Sequence, residues 1–271
     1  MPLPPPNPDR TCLVTGASSG IGSDFAHQLA AQGRGVTLVA RREEKLRALA
    51  DELADSHGVR AEVIAADLTD ETSRAAIATR LDELGLAVDV LINNAGLSTM
   101  GPVHKANVTA ELSMVRTDVE AVVDLCTRFV SGMVERHAGG VLNVASTAAF
   151  QPLPGQAGYS ASKAFVLAYS RALRAELSGT GVGVTVLCPG PVETGFAEAA
   201  GITNEEASNA MPSFMWVPSS QVAREALSGL EKGRAVVIPG AANRLTAVGG
   251  YLTPRALLMP LLARQHPALR E

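Results

Sequence analysis

The sequence TGASSGIG, residues 15–22, is the stretch that decides the fold. It follows the short apolar run Arg10–Thr15 and opens a segment with helical spacing of apolar residues. At such a junction, backbone N–H groups and a helix N-terminus can cradle a pyrophosphate. The stretch therefore predicts a dinucleotide-binding loop, and the alternative is a glycine-rich turn that binds nothing. The candidate cofactor residues here are Gly16, Ser18, Ser19, Gly20, Ile21 and Gly22.

Short β-branched runs alternate with longer Ala/Leu/Glu/Arg stretches along the rest of the chain, a pattern typical of βαβ units. The runs are nearly continuous in apolar residues, as in parallel strands covered on both faces. We therefore predict an α/β fold, a Rossmann-type doubly wound sheet of about seven parallel strands with helices on both faces. The predicted strands are Arg10–Thr15, Val36–Ala40, Ala61–Ala65, 88–92, 141–144, Val182–Leu187 and 235–238. The predicted helices are 21–32, 43–56, 70–84, 108–136, 157–178 and 220–231, with terminators at Gly33, Gly58 and Gly179.

The composition is that of an ordinary soluble globular protein: 271 residues, 46% hydrophobic and 18% charged, with a net charge of −4. An aromatic content of 4% and the acidic balance argue against a nucleic-acid partner. No run approaches the roughly 20 apolar residues of a membrane span, and the proline-rich lead, residues 1–9, lacks a signal-peptide core. We expect a cytoplasmic protein, with peripheral membrane association left open. The cysteines, expected to be reduced, are Cys12, Cys126 and Cys188, and the five histidines lack ligand spacing, so no metal site is predicted.

The residues after the second strand indicate the preferred cofactor. An acidic side chain there would bind the ribose 2′-hydroxyl of NAD, but the sequence carries Arg41 and Arg42. Guanidinium groups suit a 2′-phosphate through charge-assisted hydrogen bonds. NADP(H) is therefore favoured over NAD(H), unless both arginines are only solvated charges at the start of the next helix.

Tyr159 and Lys163 lie four residues apart in a segment of helical character and so share one helix face. An adjacent ammonium stabilises a phenolate, which brings a tyrosine closer to the pKa that general acid–base catalysis requires. Thirteen residues upstream, Ser146 follows a predicted strand, and its hydroxyl can polarise or orient a substrate carbonyl. These three residues are the candidate catalytic group.

With these motifs the chain resembles the short-chain dehydrogenase/reductase family over about residues 9–240. The resemblance also rests on Asp67 and Leu68, on the sequence NNAG at 93–96, and on PGPVET at 189–194. It implies that Tyr159 exchanges a proton, and nicotinamide a hydride, with a small carbonyl or alcohol substrate, and that Lys163 also holds the nicotinamide ribose. Relatives of this architecture are commonly homodimers or homotetramers. The further cofactor-binding residues that it implies are Asp67, Leu68, Asn93, Ala95, Gly96, Pro189, Gly190, Val192 and Thr194.

Some of these residues have a structural alternative. Asp67 would contact the adenine amino group by resemblance, but it could also cap a helix. Asn93 would line the adenosine side, or it could brace strands. One position departs from the family, because Asp118, the fourth candidate catalytic residue, stands where an Asn normally holds a water in a proton relay with the lysine. A carboxylate accepts from water but cannot donate as an amide does, and its charge would offset the pull of Lys163 on the tyrosine proton. The alternative is that Asp118 points elsewhere or binds backbone.

Two segments outside the motifs have open roles. Residues 195–218 lie at the carboxyl edge of the sheet, so a substrate lid is expected there, and a surface insertion is the alternative. Its residues Phe196, Met211, Phe214, Met215 and Trp216 suggest a fairly apolar pocket for a lipophilic substrate, or subunit packing. The extension 241–271 would pack on the domain formed by residues 10–240, form a subunit contact, or lie on a lipid bilayer.

The interpretation that follows is an NADP(H)-dependent oxidoreductase acting on CH–OH and C=O groups. One rival is a non-catalytic NADP(H) sensor or scaffold of the same fold, although a pure binding module has no need of all three catalytic side chains. A second rival is a dehydratase or epimerase acting on a sugar nucleotide, but such relatives usually carry a larger C-terminal substrate region.

Overall fold

The computed structural model describes residues 3–194 and 212–265, and within them seven parallel strands form one sheet. Their spatial order is β3-β2-β1-β4-β5-β6-β7. This confirms the predicted Rossmann-type α/β fold, and the predicted strand positions agree with the observed ones to within two residues. The strands are β1 (Arg10–Thr15), β2 (Val36–Ala40), β3 (Ala61–Ala65), β4 (Ala87–Asn93), β5 (Gly139–Val144), β6 (Val182–Leu187) and β7 (Val236–Val237).

Nine α-helices are present in the described residues, and the first seven follow the predicted helical segments. The sequence prediction missed the last two because glycine and proline interrupt the apolar spacing there. The α-helices are α1 (Gly20–Ala31), α2 (Glu43–His57), α3 (Glu71–Glu83), α4 (Val108–Val115), α5 (Ala121–Glu135), α6 (Ala157–Glu176), α7 (Ser219–Glu231), α8 (Ala241–Leu252) and α9 (Arg255–Gln265). Short 3-10 turns occur at Val103–Lys105, Thr147–Phe150 and Ser213–Met215.

The helix predicted at 108–136 is one continuous run with an irregular centre. Between α4 and α5, residues Arg116–Glu120 form a π-helical turn, in which Thr117 and Asp118 are buried. A π turn inserts a residue into the α-helical register and is often found at functional sites. Side-chain periodicity did not reveal this insertion, since both flanking helices keep ordinary α spacing.

The sheet separates two apolar cores, as the apolar strand sequences predict. In β1, Cys12 and Val14 pack in the core on one face while Leu13 packs in the core on the other. The first core also contains Phe25 of α1, and the second contains Val166 of α6. Both faces of the central strands are thus removed from water, and this burial is the main favourable contribution to folding. Cys12, Cys126 and Cys188 are free buried thiols, as expected from the sequence.

The carboxyl ends of β1 and β4 define the position of the site. The chain passes from β1 to β2 on one side and reaches β4 on the other, so the strand order reverses between these neighbours. In open α/β sheets, ligands bind in the crevice at this point. The Thr15 hydroxyl at the end of β1 accepts the backbone N–H groups of Asn94 and Ala95, each at 3.0 Å, and so ties the loop after β4 to the glycine loop.

Helices α8 and α9 lie close to the segment after β5. The Arg255 guanidinium donates to the carbonyls of Gly250 at 2.6 Å and Phe150 at 3.1 Å. Apolar side chains of the same helices remain exposed, including Leu245 at 75% and Leu257 at 71%. Within the described ranges, no helix is both long enough and apolar enough to cross a bilayer. Most of the expected lid, including Phe196 and Met211, lies outside the described residues.

Candidate active site

The glycine loop is a cradle in which side chains would not fit. Gly16 and Gly20 adopt positive φ angles of 66° and 57°, which favour glycine. A Cβ on Gly16 would lie 2.9 Å from the Cα of Ala95, and one on Gly22 would lie 2.6 Å from Nδ2 of Asn94 and collide with the carbonyl oxygen of Gly16. The loop, the start of α1 and the segment after β4 are therefore packed backbone to backbone. Such a surface fits a pyrophosphate. Because the side chain of Ser19, the N-cap of α1, makes no capping hydrogen bond, the backbone N–H groups at the start of α1 are left available for such an anion.

Arg42 is the predicted cofactor-selecting residue that the structure brings to this loop. Its Nη2 donates to the hydroxyls of Ser18 at 2.8 Å and Ser19 at 2.9 Å. Arg41, the other predicted guanidinium, is exposed like Arg42, but it makes no hydrogen bond to these two serines. The two loop serines and Arg42 thus form one polar cluster at the carboxyl end of β2.

The predicted adenine-side residues have structural partners of their own. Asp67 is exposed, and its Oδ1 accepts the backbone N–H and the hydroxyl of Thr69, both at 2.9 Å. Its alternative role as a helix cap is not observed, because Asp70 caps α3. Leu68 is buried, and its carbonyl accepts from Arg74 at 2.8 Å.

Asn93 is buried, and its side-chain amide braces the sheet. Its Nδ2 donates to Oδ1 of Asn143 on β5 at 2.8 Å. Asn93 therefore braces β4 against β5, the structural alternative to a cofactor contact, and its amide nitrogen is occupied by this hydrogen bond. A contact of Asn93 with the cofactor would have to come from its remaining polar atoms.

Ser146 and Tyr159 meet as the motif spacing predicts. Ser146 follows β5 and begins the 3-10 turn, where its hydroxyl oxygen accepts the N–H of Ala148 at 3.1 Å. The Ser146 hydroxyl is also hydrogen-bonded to the Tyr159 phenol. Tyr159 lies in the first turn of α6, one turn before Lys163, whose Nζ is 5.6 Å from the centre of the tyrosine ring.

Lys163 and Asp118 form a buried ion pair. Nζ of Lys163 lies 3.0 Å from Oδ2 of Asp118 and donates to the carbonyl of Val144 at 3.3 Å. The other oxygen of Asp118 accepts the backbone N–H of Leu97 at 2.7 Å. A Cβ on Gly96 would lie 3.1 Å from Nζ, so the backbone after β4 closes over the pair. Asp118 therefore points to Lys163 and also binds backbone, which combines the two alternatives open at the sequence level.

Burial and charge set the protonation of this group. Burial raises the pKa of Tyr159, and Lys163 and the Ser146 hydrogen bond oppose it only in part. Burial raises the pKa of Asp118 as well, against the opposing charge of Lys163. For Lys163, burial lowers the pKa, but the charges of Asp118 and Tyr159 outweigh it and the net shift is upward. The phenol of Tyr159 is thus protonated at neutral pH.

The segment after β6 reaches over the site from the other side. The Pro189 carbonyl accepts the N–H of Thr147, the residue after Ser146, at 2.9 Å. Val192 forms an isolated parallel bridge with Val217. A Cβ on Gly20 would lie 2.9 Å from Cγ2 of Thr194, which places Thr194 against the glycine loop.

Three residues that hold the site together were not singled out from the sequence. Thr15 and Asn94 join the glycine loop to the segment after β4, and Nδ2 of Asn94 donates to the carbonyl of Thr15 at 3.0 Å. Asn243 at the start of α8 is buried, and its amide lies against Gly190. Asn94 lies within the NNAG motif, and this place in the motif could have identified it as a site residue. Asn243 had no such signal because it lies outside every motif.

Comparison with known proteins agrees with this geometry. Residues 10–205 match the family model described as short chain dehydrogenase. The NADP-dependent 3-hydroxy acid dehydrogenase of Escherichia coli strain K12 is 40% identical over 184 residues, which are 66% of this chain and 71% of that protein. Sulfoacetaldehyde reductase 2 of Chromohalobacter salexigens is 36% identical over 201 residues, 73% of this chain and 79% of that protein.

A solved structure extends the similarity to nearly the whole chain. The short-chain dehydrogenase from Sphingobium yanoikuyae in complex with NADPH superimposes with a TM-score of 0.79 at 33% identity, covering 93% of this chain and 95% of that one. The glycine cradle, the sheet order and these similarities agree. The chain therefore belongs to the short-chain dehydrogenase/reductase family and is an oxidoreductase that acts on CH–OH and carbonyl groups with NAD(P).

Proposed function

We propose that this protein is an NADP(H)-dependent carbonyl reductase and alcohol dehydrogenase in which Tyr159 is the general acid–base. The observation that carries the proposal is the convergence of Ser146, Tyr159 and Lys163. The Ser146 hydroxyl is hydrogen-bonded to the phenol, and Nζ of Lys163 lies 5.6 Å from the ring centre. The same lysine lies against Gly96, two residues after the Asn94 that holds the glycine loop.

In carbonyl reduction, bound NADPH supplies the hydride that forms the new C–H bond. Ser146 orients and polarises the carbonyl oxygen, on which negative charge develops. Tyr159 donates its phenolic proton to that oxygen and completes the alcohol, and the phenolate then regains a proton from solvent. Lys163 would hold the ribose of the bound cofactor, and its ammonium stabilises the transient phenolate of Tyr159. In alcohol oxidation the proton passes to Tyr159 instead, so that direction requires the phenolate first.

The preference for NADP(H) is argued from Arg42. Its hydrogen bonds to Ser18 and Ser19 place a guanidinium and two hydroxyls beside the glycine cradle. A 2′-phosphate would accept charge-assisted hydrogen bonds from such a cluster. The relative from Escherichia coli is named as NADP-dependent and the Sphingobium structure contains NADPH, which supports the same cofactor here. The further contacts we propose are those of Gly16, Gly20, Ile21, Gly22, Arg41, Asp67, Leu68, Asn93, Ala95, Gly96, Pro189, Gly190, Val192 and Thr194.

The Tyr159→Phe variant tests the mechanism. We expect kcat for NADPH-dependent reduction to fall by at least about a hundredfold, because a general acid contributes roughly 100- to 10,000-fold and no other phenol lies in the group. The dissociation constant for NADPH should stay within about threefold, since the ring and its packing remain. The assay follows NADPH oxidation against a panel of ketones, aldehydes, 3-oxo acids and their esters.

Tyr251→Phe is the matched control, because Tyr251 is exposed on α8 and lies outside the proposed catalytic group. It should turn over at the wild-type rate. Near-normal turnover by Tyr159→Phe would overturn the assignment of the acid–base.

A further inference from the structure

The buried ion pair of Asp118 and Lys163 carries an inference about the pH range in which the site works. Asp118 is 1% exposed and Lys163 is 4% exposed. Among the described residues, the partner of Oδ2 of Asp118 is the Lys163 ammonium at 3.0 Å. A buried carboxylate that depends on a single cation is strongly coupled to it.

The contact between the two groups is direct. A separation of 3.0 Å between Nζ and Oδ2 leaves no space for a water molecule between them. By resemblance, an amide at this position would be neutral and would hold a water. Here the π-helical turn and the hydrogen bond from the Leu97 N–H hold the Asp118 carboxylate directly against Lys163, so no water bridges the two side chains.

The pKa of Tyr159 depends on the combined charge of Asp118 and Lys163, not on that of the lysine alone. A lone lysine ammonium 5.6 Å from the ring centre would favour the phenolate strongly. Together with Asp118 its net charge is zero, whichever of the two groups carries the proton. In agreement, the charge of Asp118 raises the pKa of Tyr159 and partly offsets the effect of Lys163.

Other titratable groups near this pair come from three elements. Tyr159 itself lies on α6, and Cys188 follows β6, where burial raises the pKa of its thiol to about 12 and keeps it neutral. On α4, Glu111 lies against Gly158, next to Tyr159. Glu111 is only half-buried, so water screens its charge more than that of Asp118.

We propose that Asp118 is a positioning residue that neutralises Lys163 and thereby keeps Tyr159 in its protonated, proton-donating form to more alkaline pH. The consequence is a site in which carbonyl reduction persists at high pH and alcohol oxidation begins only at higher pH. The inference rests on the proposed function of Tyr159, but it concerns the position of the pH profile and not the presence of activity.

The test compares the pH dependence of kcat/KM for carbonyl reduction in the wild type and in the Asp118→Asn variant. The asparagine side chain has nearly the same shape as that of aspartate but carries no charge. The neutral amide of this variant would leave a net positive charge beside Tyr159, so the alkaline limb should move to lower pH by about one unit or more. The alcohol oxidation profile should move in the same direction. The Kd for NADPH, measured in parallel, reports whether the variant still assembles its cofactor site.

Glu120→Gln is the matched control. It removes a carboxylate from the same π-helical turn, but Glu120 is half-exposed and lies near Arg74 at 3.8 Å instead of Lys163. Its pH profile should superimpose on that of the wild type. Superimposable profiles for wild type and Asp118→Asn in active enzyme would overturn the proposal while leaving the role of Tyr159 intact.

A second measurement needs no change at Asp118, in case Asp118→Asn fails to fold. The pH titration of phenolate absorbance in the wild type, minus that of Tyr159→Phe, isolates Tyr159. We expect its phenolate to appear only above the pKa of about 10 for free tyrosine. Titration of Tyr159 below that value would contradict the proposal.

Discussion

Arg42 is the residue on which the proposed preference for NADP(H) over NAD(H) depends. Position 42 follows the end of β2, where an acidic residue would contact a ribose hydroxyl. Arg42 instead points its guanidinium to Ser18 and Ser19 in the glycine loop. Both arginines are exposed, but among the residues that the structure describes only Arg42 donates to the loop serines, so the two neighbouring arginines are not equivalent. The sequence predicted the pair, and only side-chain placement distinguished its members.

We expect Arg42→Ala to raise the Kd for NADPH by about tenfold to a hundredfold, since a hydrogen bond to a charged group is worth roughly 1.5–3 kcal/mol. The Kd for NADH should change by less than about threefold, because NADH has no 2′-phosphate for the guanidinium to bind. Both constants can be measured by quenching of the fluorescence of Trp216 or by calorimetry.

Arg47→Ala provides the comparison, because Arg47 lies on α2 and pairs with Glu43 on the surface. It should leave both constants unchanged. An equal loss of NADPH and NADH affinity in Arg42→Ala would show that Arg42 supports the loop and does not select the cofactor.

The glycine loop and α1 act as one element whose packing depends on missing side chains. Gly22 is within α1, where glycine lowers helix stability, yet a Cβ there would meet Asn94 and the backbone of Gly16. The same helix start must approach the segment after β4 closely. Close approach of these backbones forms the cradle in which we propose that the pyrophosphate binds, so here glycine is required by tertiary packing and not by the local conformation of the chain.

Gly22→Ala should therefore weaken NADPH binding by at least about tenfold and destabilise the protein by roughly 1–3 kcal/mol, because the carbonyl of Gly16 cannot move aside without opening the loop. Calorimetric titration and thermal unfolding measure the two effects.

Gly249→Ala is its counterpart, since a Cβ at Gly249 in α8 would meet nothing within 4 Å. That variant should bind NADPH normally and unfold at the same or a slightly higher temperature. If both variants behaved alike, the close packing of Gly22 would not be the reason for its glycine.

On the scale of the whole molecule, Asn243 connects segments that are far apart in the sequence. Its Nδ2 donates to the carbonyls of Met215 at 2.9 Å and Pro239 at 3.1 Å, and its amide packs on Gly190. One buried side chain thus joins the end of the expected lid, the segment after β7, and the loop after β6. Helix α8 is in this way coupled to the rim of the site.

Asn243→Ala should lower stability by about 2 kcal/mol, because one buried and one partly buried carbonyl would lose their donor, and lower the unfolding temperature by roughly 5 °C. The KM for the carbonyl substrate should rise more than kcat falls, since the proposed catalytic residues Ser146, Tyr159 and Lys163 remain in place. Differential scanning calorimetry and steady-state kinetics measure both.

Thr246→Ala on the same helix is the control, because the Thr246 hydroxyl donates only to carbonyls of α8 itself. It should change neither KM nor the unfolding temperature appreciably. An unchanged KM in Asn243→Ala would indicate that α8 stabilises the fold without shaping the substrate site.

Local sequence determined the strands, the first seven helices and the proximity of Ser146, Tyr159 and Lys163, our proposed catalytic group. Apolar runs of strand length, helical spacing and the order of the motifs are properties of neighbouring residues, so they can be read before folding. The alignment of Ser146, Tyr159 and Lys163 follows from one helix and the strand beside it, and their meeting was predicted correctly.

Only the tertiary structure decided that Asn93 braces the sheet and that Arg42, not Arg41, contacts the glycine loop. It also decided that the π turn directs Asp118 toward Lys163, and that Asn243 joins α8 to the loop after β6. Each depends on which distant backbone groups or charges come within a few ångströms, and sequence spacing does not encode that distance. Hydrogen bonds and buried charges have their effect only at such short range, because water otherwise satisfies the groups or screens them.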